Sequence, residues 1–202
     1  MKITEAHVQH NWWKYLLVVM ASVLLWSIVF DSLSAPAKNE KIQITFLGDG
    51  LNCAALEEHI FTALPDLTTQ KIEKVAIENP VAEVNNDFYT VLATRVYGAD
   101  LIIIEESLLT DDLCKTYFLP LPVEQLADYV SIGDLYVENG VSYGLLLNPD
   151  DGNGIFSEYY SGSQRVYLFI PHTSVNVAGI MGEGKPQDDA ALRVISYLLE
   201  ER

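Results

Sequence analysis

The fold of this chain is decided at residues 100–104, Asp-Leu-Ile-Ile-Ile. Four consecutive large apolar residues do not suit a strand with one wet face. They suit a strand covered on both faces, as the strands of parallel sheets are. The residues before it read as a helix over 86–97, with Phe88, Val91, Leu92 and Val96 inward, Asn85 or Asn86 at the cap, and Gly98 as the stop. Further back, 72–78 (IEKVAIE) reads as a strand and 53–64 as a helix striped by Leu56, Ile60 and Leu64, capped by Asn52 and ended by Pro65. At 42–46, Ile42, Ile44 and Phe46 alternate with Gln43 and Thr45, the period of a strand. Residues 42–104 are therefore β-α-β-α-β, with right-handed helical crossovers between parallel strands. Ligand sites in such sheets lie at the carboxyl ends of the strands. Here those ends are Gly48 to Asn52, Glu78 to Pro80, and Glu105 to Ser107.

Downstream, short helices are expected near 108–116 and 122–129. Tyr136-Val137 and Val141 to Leu147 flank Asn139-Gly140, the preferred two-residue hairpin turn. Residues 148–164 (NPDDGNGIFSEYYSGSQ) are rich in turn formers and read as a loop. A strand at 165–170, an irregular stretch at 171–187, and a helix at 188–200 complete the chain. Asp188 would cap that helix, and Leu192, Ile195, Leu198 and Leu199 would form its buried face.

Upstream of the first strand, residues 15–30 carry no charge, and Trp12, Trp13 and Lys14 extend the run to 12–30. Nineteen helical residues span about 28 Å, enough for a hydrocarbon core, and indoles with a snorkelling lysine suit its boundary. The expected organisation is an N-terminal tail at 1–11, a transmembrane anchor at 12–30, a polar linker at 31–41 and an extracytoplasmic domain at 42–202. The expected location is the cell membrane, single-pass. The alternative is a secreted chain cleaved near Ala37, since Ala35-Pro36-Ala37 offers small residues after the apolar run. Half of the 202 residues are hydrophobic, which excludes disorder. A net charge of −16 repels phosphate backbones and anionic lipid, so nucleic acid is not an expected partner.

The order of elements resembles the extracellular solute-binding proteins of ABC importers, the type 2 periplasmic-binding fold. IQITFLGDG (42–50) and LEEHIFTALPDL (56–67) are similar to that family's opening, and NDFYTVLATRVYGADLIIIEES (86–107) to its second helix and third strand. LADYV (126–130) with LYVENGVSYGLLLN (135–148) resembles its crossing into a second lobe, and DDAALRVISYLLEE (188–201) its closing helix. The resemblance implies an α/β three-layer sandwich on a mostly parallel sheet. The departure is that only 148–164 stand where the family has its second lobe, too few residues for a domain. One lobe is therefore expected, binding without hinge closure.

On that edge the candidate ligand-binding residues are Asp49, Asn52, Glu105, Glu106 and Ser107, with Tyr143, Tyr159 and Tyr160 as rings to stack on a sugar. Their carboxylates favour a small neutral or cationic solute over an anion. A protein partner from the envelope is the other expected occupant, and an accessory subunit of a transporter or envelope complex is the alternative role. Gly48-Asp49-Gly50 is no dinucleotide motif, because Cys53 stands at its third glycine position; no cofactor is expected. Cys53 and Cys114 are the only cysteines, giving either a disulfide or two separate reduced thiols, and no zinc site. Asn148, Asp150, Asp151 and Asn153 lack EF-hand spacing and read as a turn, so no metal is expected. No catalytic residue is assigned; His172 and Ser174 would suggest a hydrolase only if they met with a carboxylate.

Overall fold

A computed structural model describes residues 2–34, 40–69, 72–80, 88–110, 112–121, 135–149, 154–174, 176–177 and 190–199. The chain divides into two units, Met1–Pro36 and Ala37–Arg202.

The first unit is α1, Lys2–Ser34. Nothing from Lys2 to Ser34 is glycine or proline, so the helix takes in the expected tail and the start of the expected linker. Within it Trp12–Phe30 has mean hydropathy 1.9 and no buried residue, and is long and apolar enough to cross a membrane. A signal sequence meets the same description. The Ser22 hydroxyl donates to the Val18 carbonyl at 2.7 Å, so it leaves no orphaned polar group on an apolar surface. Lys14 lies 5.6 Å over the Trp13 ring.

The second unit is built on a six-stranded sheet ordered β2-β1-β3-β6-β5-β4. The strands are β1 (Lys41–Leu47), β2 (Lys74–Glu78), β3 (Leu101–Glu105), β4 (Leu135–Glu138), β5 (Val141–Leu146) and β6 (Val166–Phe169). β1 pairs parallel with β2 and β3, as the two helical crossovers require. The β3–β6, β6–β5 and β5–β4 pairs are antiparallel, so the sheet is mixed and not mostly parallel. One cause is local: Asn139 (φ 51) and Gly140 (φ 80) both adopt the left-handed region, and the tight hairpin they make forces β4 and β5 into opposite directions. The other is that β6 inserts between β3 and β5 against both.

Alternation along the strands divides the core in two. Ile42, Ile44, Phe46, Leu101 and Ile103 face α2 (Cys53–Ala63), α6 (Ile155–Tyr159) and α7 (Ala190–Leu199). Leu47, Ile102 and Ile104 face α4 (Phe88–Val96) and α5 (Leu113–Tyr117). All four residues from Leu101 to Ile104 are fully buried, each contributing about 1.5–3 kcal/mol over exposure. Helices thus lie on both faces of the sheet. The short α3 (Asp66–Thr69) follows the stop at Pro65. The expected helix near 108–116 is instead a 3₁₀ turn at Glu106–Leu108 followed by α5. Residues 148–164 are no plain loop, because α6 forms within them and buries Ile155 and Phe156. The expected helix at 122–129 and the caps Asn85, Asn86 and Asp188 lie outside the described residues.

The register of β4 and β5 skips Tyr143: Tyr136 faces Gly144 and Val137 faces Ser142. This bulge turns Gly144 under the rings of the second core, where an added Cβ would stand 2.7 Å from Phe169 and 3.1 Å from Tyr136 Cβ. Gly144→Ala is expected to lower the unfolding free energy by about 1–3 kcal/mol through overpacking. Urea unfolding of the detergent-solubilised chain measures it, and an unchanged midpoint would refute the close packing of this site.

Candidate functional site

The carboxyl ends of β1 and β3 adjoin, and the turn after β1 lies against the end of β3. Gly48 makes this approach possible: a Cβ there would stand 2.6 Å from Glu105 Cγ. Glu105 is 9% exposed, and its Oε1 accepts from the Asp49 backbone N–H at 3.0 Å and from the Tyr160 hydroxyl at 2.9 Å. Such charge-assisted bonds are what allow a carboxylate to be buried at a sheet end. Asp49 itself is exposed, its Oδ1 accepting from the Gly50 N–H at 2.8 Å. Asn52 caps α2, its Oδ1 accepting from the Ala55 N–H at 3.3 Å.

The other side of this edge is supplied by the segment after α6. The Asn52 N–H donates to the Tyr159 carbonyl at 2.9 Å, and the Ser161 N–H to the Gly50 carbonyl at 2.9 Å. Leu51 and Tyr160 form an isolated antiparallel bridge, and the Ser161 hydroxyl adds a bond to Gly50 O at 3.0 Å. Gly50 holds φ 83 and Gly162 packs against it, with 2.9 Å from the Gly162 nitrogen to where a Gly50 Cβ would be. The Tyr160 ring packs edge-on against Phe46 at 6.2 Å and tilted against Phe156 at 5.6 Å. Both ends of the loop are pinned by Asn148, whose Oδ1 accepts from the Val166 N–H and whose Nδ2 donates to Gln164 O, each at 2.7 Å. A concavity of about 360 Å³ opens beside Tyr160, lined by Asn148, Pro149, Ser157, Ser163 and Arg165 among others.

Of the expected binding residues, Asp49, Asn52 and Glu105 share this edge. Glu106 and Ser107 continue it on the 3₁₀ turn, both exposed, with the Glu106 N–H donating to Arg165 O at 2.8 Å. Tyr143 does not join them; it is 7% exposed in the second core, on the face away from α2. Nor is Tyr160 free to stack on a sugar, since its ring and hydroxyl are both engaged. Tyr159 is half-buried beside His59, which in turn contacts Tyr197 Oη at 2.6 Å. The role of Tyr160, Ser161 and Gly162 was not legible from sequence: it depends on a contact across more than 100 residues, signalled only by the small residues that follow the tyrosine.

No family model, no curated protein and no solved structure matches this chain.

Cys53 and Cys114 are both free thiols, so the disulfide alternative is corrected. Cys53 packs on the α2 face of the sheet and Cys114 within the α4–α5 core, and the strands stand between them. Burial, and then the charge of Glu138, push the Cys114 thiol up to about 12; burial raises Cys53 as well. Among the hydrolase residues, Ser174 Oγ donates directly to Asp100 Oδ1 at 3.3 Å, and Asp100 Oδ2 is held by the Gln43 N–H at 2.9 Å. His172 is exposed and does not stand between them; its backbone N–H donates to Tyr117 O at 3.1 Å. Among the described residues no group of three His, Cys, Asp or Glu is placed to hold a metal. Asp150, Asp151 and Asn153 lie outside the described residues.

Burial first, and then the hydrogen bond to Glu105, raise the Tyr160 phenol well above its ordinary 10.0. The folded chain then keeps this proton where the unfolded chain releases it. The stabilisation is complete below about pH 10 and is lost as pH rises beyond it. Tyr160→Phe is expected to cost about 1.5–3 kcal/mol at pH 7, with the gap to the parent chain narrowing above pH 10 in urea titrations; a gap independent of pH would contradict the placement. In a thiol-labelling assay near pH 8, Cys114 should react only after denaturation and Cys53 sooner, with no mass change on reduction; a reducible bond between them would overturn the free-thiol assignment.

Proposed function

We propose that the chain is a membrane-anchored extracytoplasmic binding module on a one-lobed solute-binding-like domain, meeting a protein partner through the carboxyl edge of its sheet. The carrying observation is the closure of 159–162 over the turn after β1. In a two-lobed receptor a solute is buried between the halves at such an edge. Here the chain's own Tyr159, Tyr160 and Ser161 take the hydrogen-bonding positions on Asn52, Glu105 and Gly50 that a solute would use. The exposed remainder, Asp49, Glu106 and Ser107, is an acidic rim, better suited to basic groups on a protein than to enclosing a small molecule. Helices on both faces and parallel β2-β1-β3 pairing support the family-like lobe. The apolar stretch Trp12–Phe30 has the length and hydropathy that a bilayer anchor needs.

Calorimetry with sugars, amino acids and calcium is expected to be silent. A photo-crosslinking amino acid at Glu106 or Ser107 should give a discrete adduct in intact cells, whereas one at Tyr97, exposed at the far end of α4, should not. Saturable solute binding that Glu105→Gln abolishes would replace this reading with direct capture. Recovery of a mature chain beginning after residue 30 would replace the anchor with a cleaved signal.

A further inference from the structure

Strand β2, Lys74–Glu78, stands at an end of the sheet: among the described residues it pairs with β1 and with no other strand. Its sequence, Lys-Val-Ala-Ile-Glu, is complementary to itself when reversed. About a twofold axis through Ala76, Lys74 meets Glu78 of a second copy, Val75 meets Ile77, and Ala76 meets itself. We propose that β2 pairs antiparallel with β2 of a second copy of this chain, joining the two sheets into one.

Three observations fit that occupant. Lys74 and Glu78 are exposed while Val75 and Ile77 are buried, so charges and apolar residues fall on opposite faces in both copies. The Ile77 N–H is taken by the Glu57 carboxylate of α2 at 3.1 Å, which marks it as an outward donor that a paired strand would use. Val75 and Ile77 then form the hydrogen-bonded pairs. Ala76–Ala76 and Lys74–Glu78 become non-hydrogen-bonded pairs, in which side chains approach most closely. Beside β2 runs a groove of about 280 Å³ lined by Ala54, Phe61 and Val75 together with Lys74, Glu57, Glu58 and Glu73, and Phe61 is 37% exposed in it. Ile77 of the second copy, opposite Val75, points to this same face.

A lysine on a sheet edge ordinarily discourages pairing. Here it is answered by a glutamate of the same strand. Its present ion pair with Glu57 is long, at 3.8 Å, so exchanging it costs little; the larger cost is that Glu57 also gives up the Ile77 N–H, which the strand-to-strand hydrogen bond replaces. Glu78 already accepts from Arg95 at 2.7 Å, and a carboxylate has acceptor capacity for a lysine as well. The net charge of −16 on each copy opposes association, but charges beyond roughly 8 Å are screened at physiological salt.

The test uses the full-length chain in nanodiscs at physiological ionic strength. Under mild oxidation, Ala76→Cys should give a reducible covalent dimer that the parent chain, with Cys53 and Cys114, does not. Lys74→Glu should weaken self-association roughly tenfold by native mass spectrometry, because two symmetry-related pairs turn from attraction to repulsion. Lys74→Glu with Glu78→Lys should restore it. No excess of covalent dimer from Ala76→Cys over the parent overturns the proposal, as does a Lys74→Glu chain that associates undiminished. If the double reversal loses its circular-dichroism signature of folding, the cysteine at 76 decides alone.

Discussion

Everything in the second unit depends on β3 being dry on both faces. Leu101 and Ile103 need one layer of helices, and Ile102 and Ile104 need another. Neither layer is supplied by the neighbouring sequence alone: α2, α6 and α7 come from both ends of the unit to cover one side. Where β3 ends, the chain must also end its dryness, and Glu105 is the residue at which this happens. A carboxylate at that boundary is tolerated because an amide from the turn after β1 and a phenol from the loop after α6 both reach it.

That arrangement gives the carboxyl edge of the sheet a finished surface. The carboxyl ends of parallel strands expose turns whose backbone groups need partners. A short helix and three residues beyond it satisfy them at the cost of one close passage, Gly50 against Gly162. The edge is therefore closed in its backbone and open only in its charged rim, which shifts the reading from enclosure of a solute toward contact with another protein.

The first half of the fold was legible because its signals are local. Ile42, Ile44 and Phe46 announce a strand, Asn52 and Pro65 bracket a helix, and the Asn139-Gly140 turn identifies its hairpin. The direction of β6 was not legible, since a four-residue apolar strand carries no information about which neighbours it joins. Tyr143 misled for a related reason: a ring beside a hairpin turn reads as available for stacking, but both faces of the sheet are covered, and Tyr143 is buried in the second core. The separation of Cys53 from Cys114 likewise followed from which face each helix covers, a property of the assembled sheet. Glu105 was readable as a residue at a strand end, but its tie to Tyr160 was not, because nothing near either residue encodes the other.

The strand order also governs how this protein can acquire its shape. β2, β1 and β3 are complete once residue 105 has been made, and β4 with β5 forms its own hairpin. Among the described residues these two halves have no ladder in common until Val166–Phe169 arrives and zips between them. Until then Leu101 to Ile104 offers one unpaired, strongly apolar flank to whatever lies nearby. Closure over so long a stretch of sequence is intrinsically slow. The interval in which β3 waits for β6 is thus the moment of greatest vulnerability to misassembly in the life of this chain.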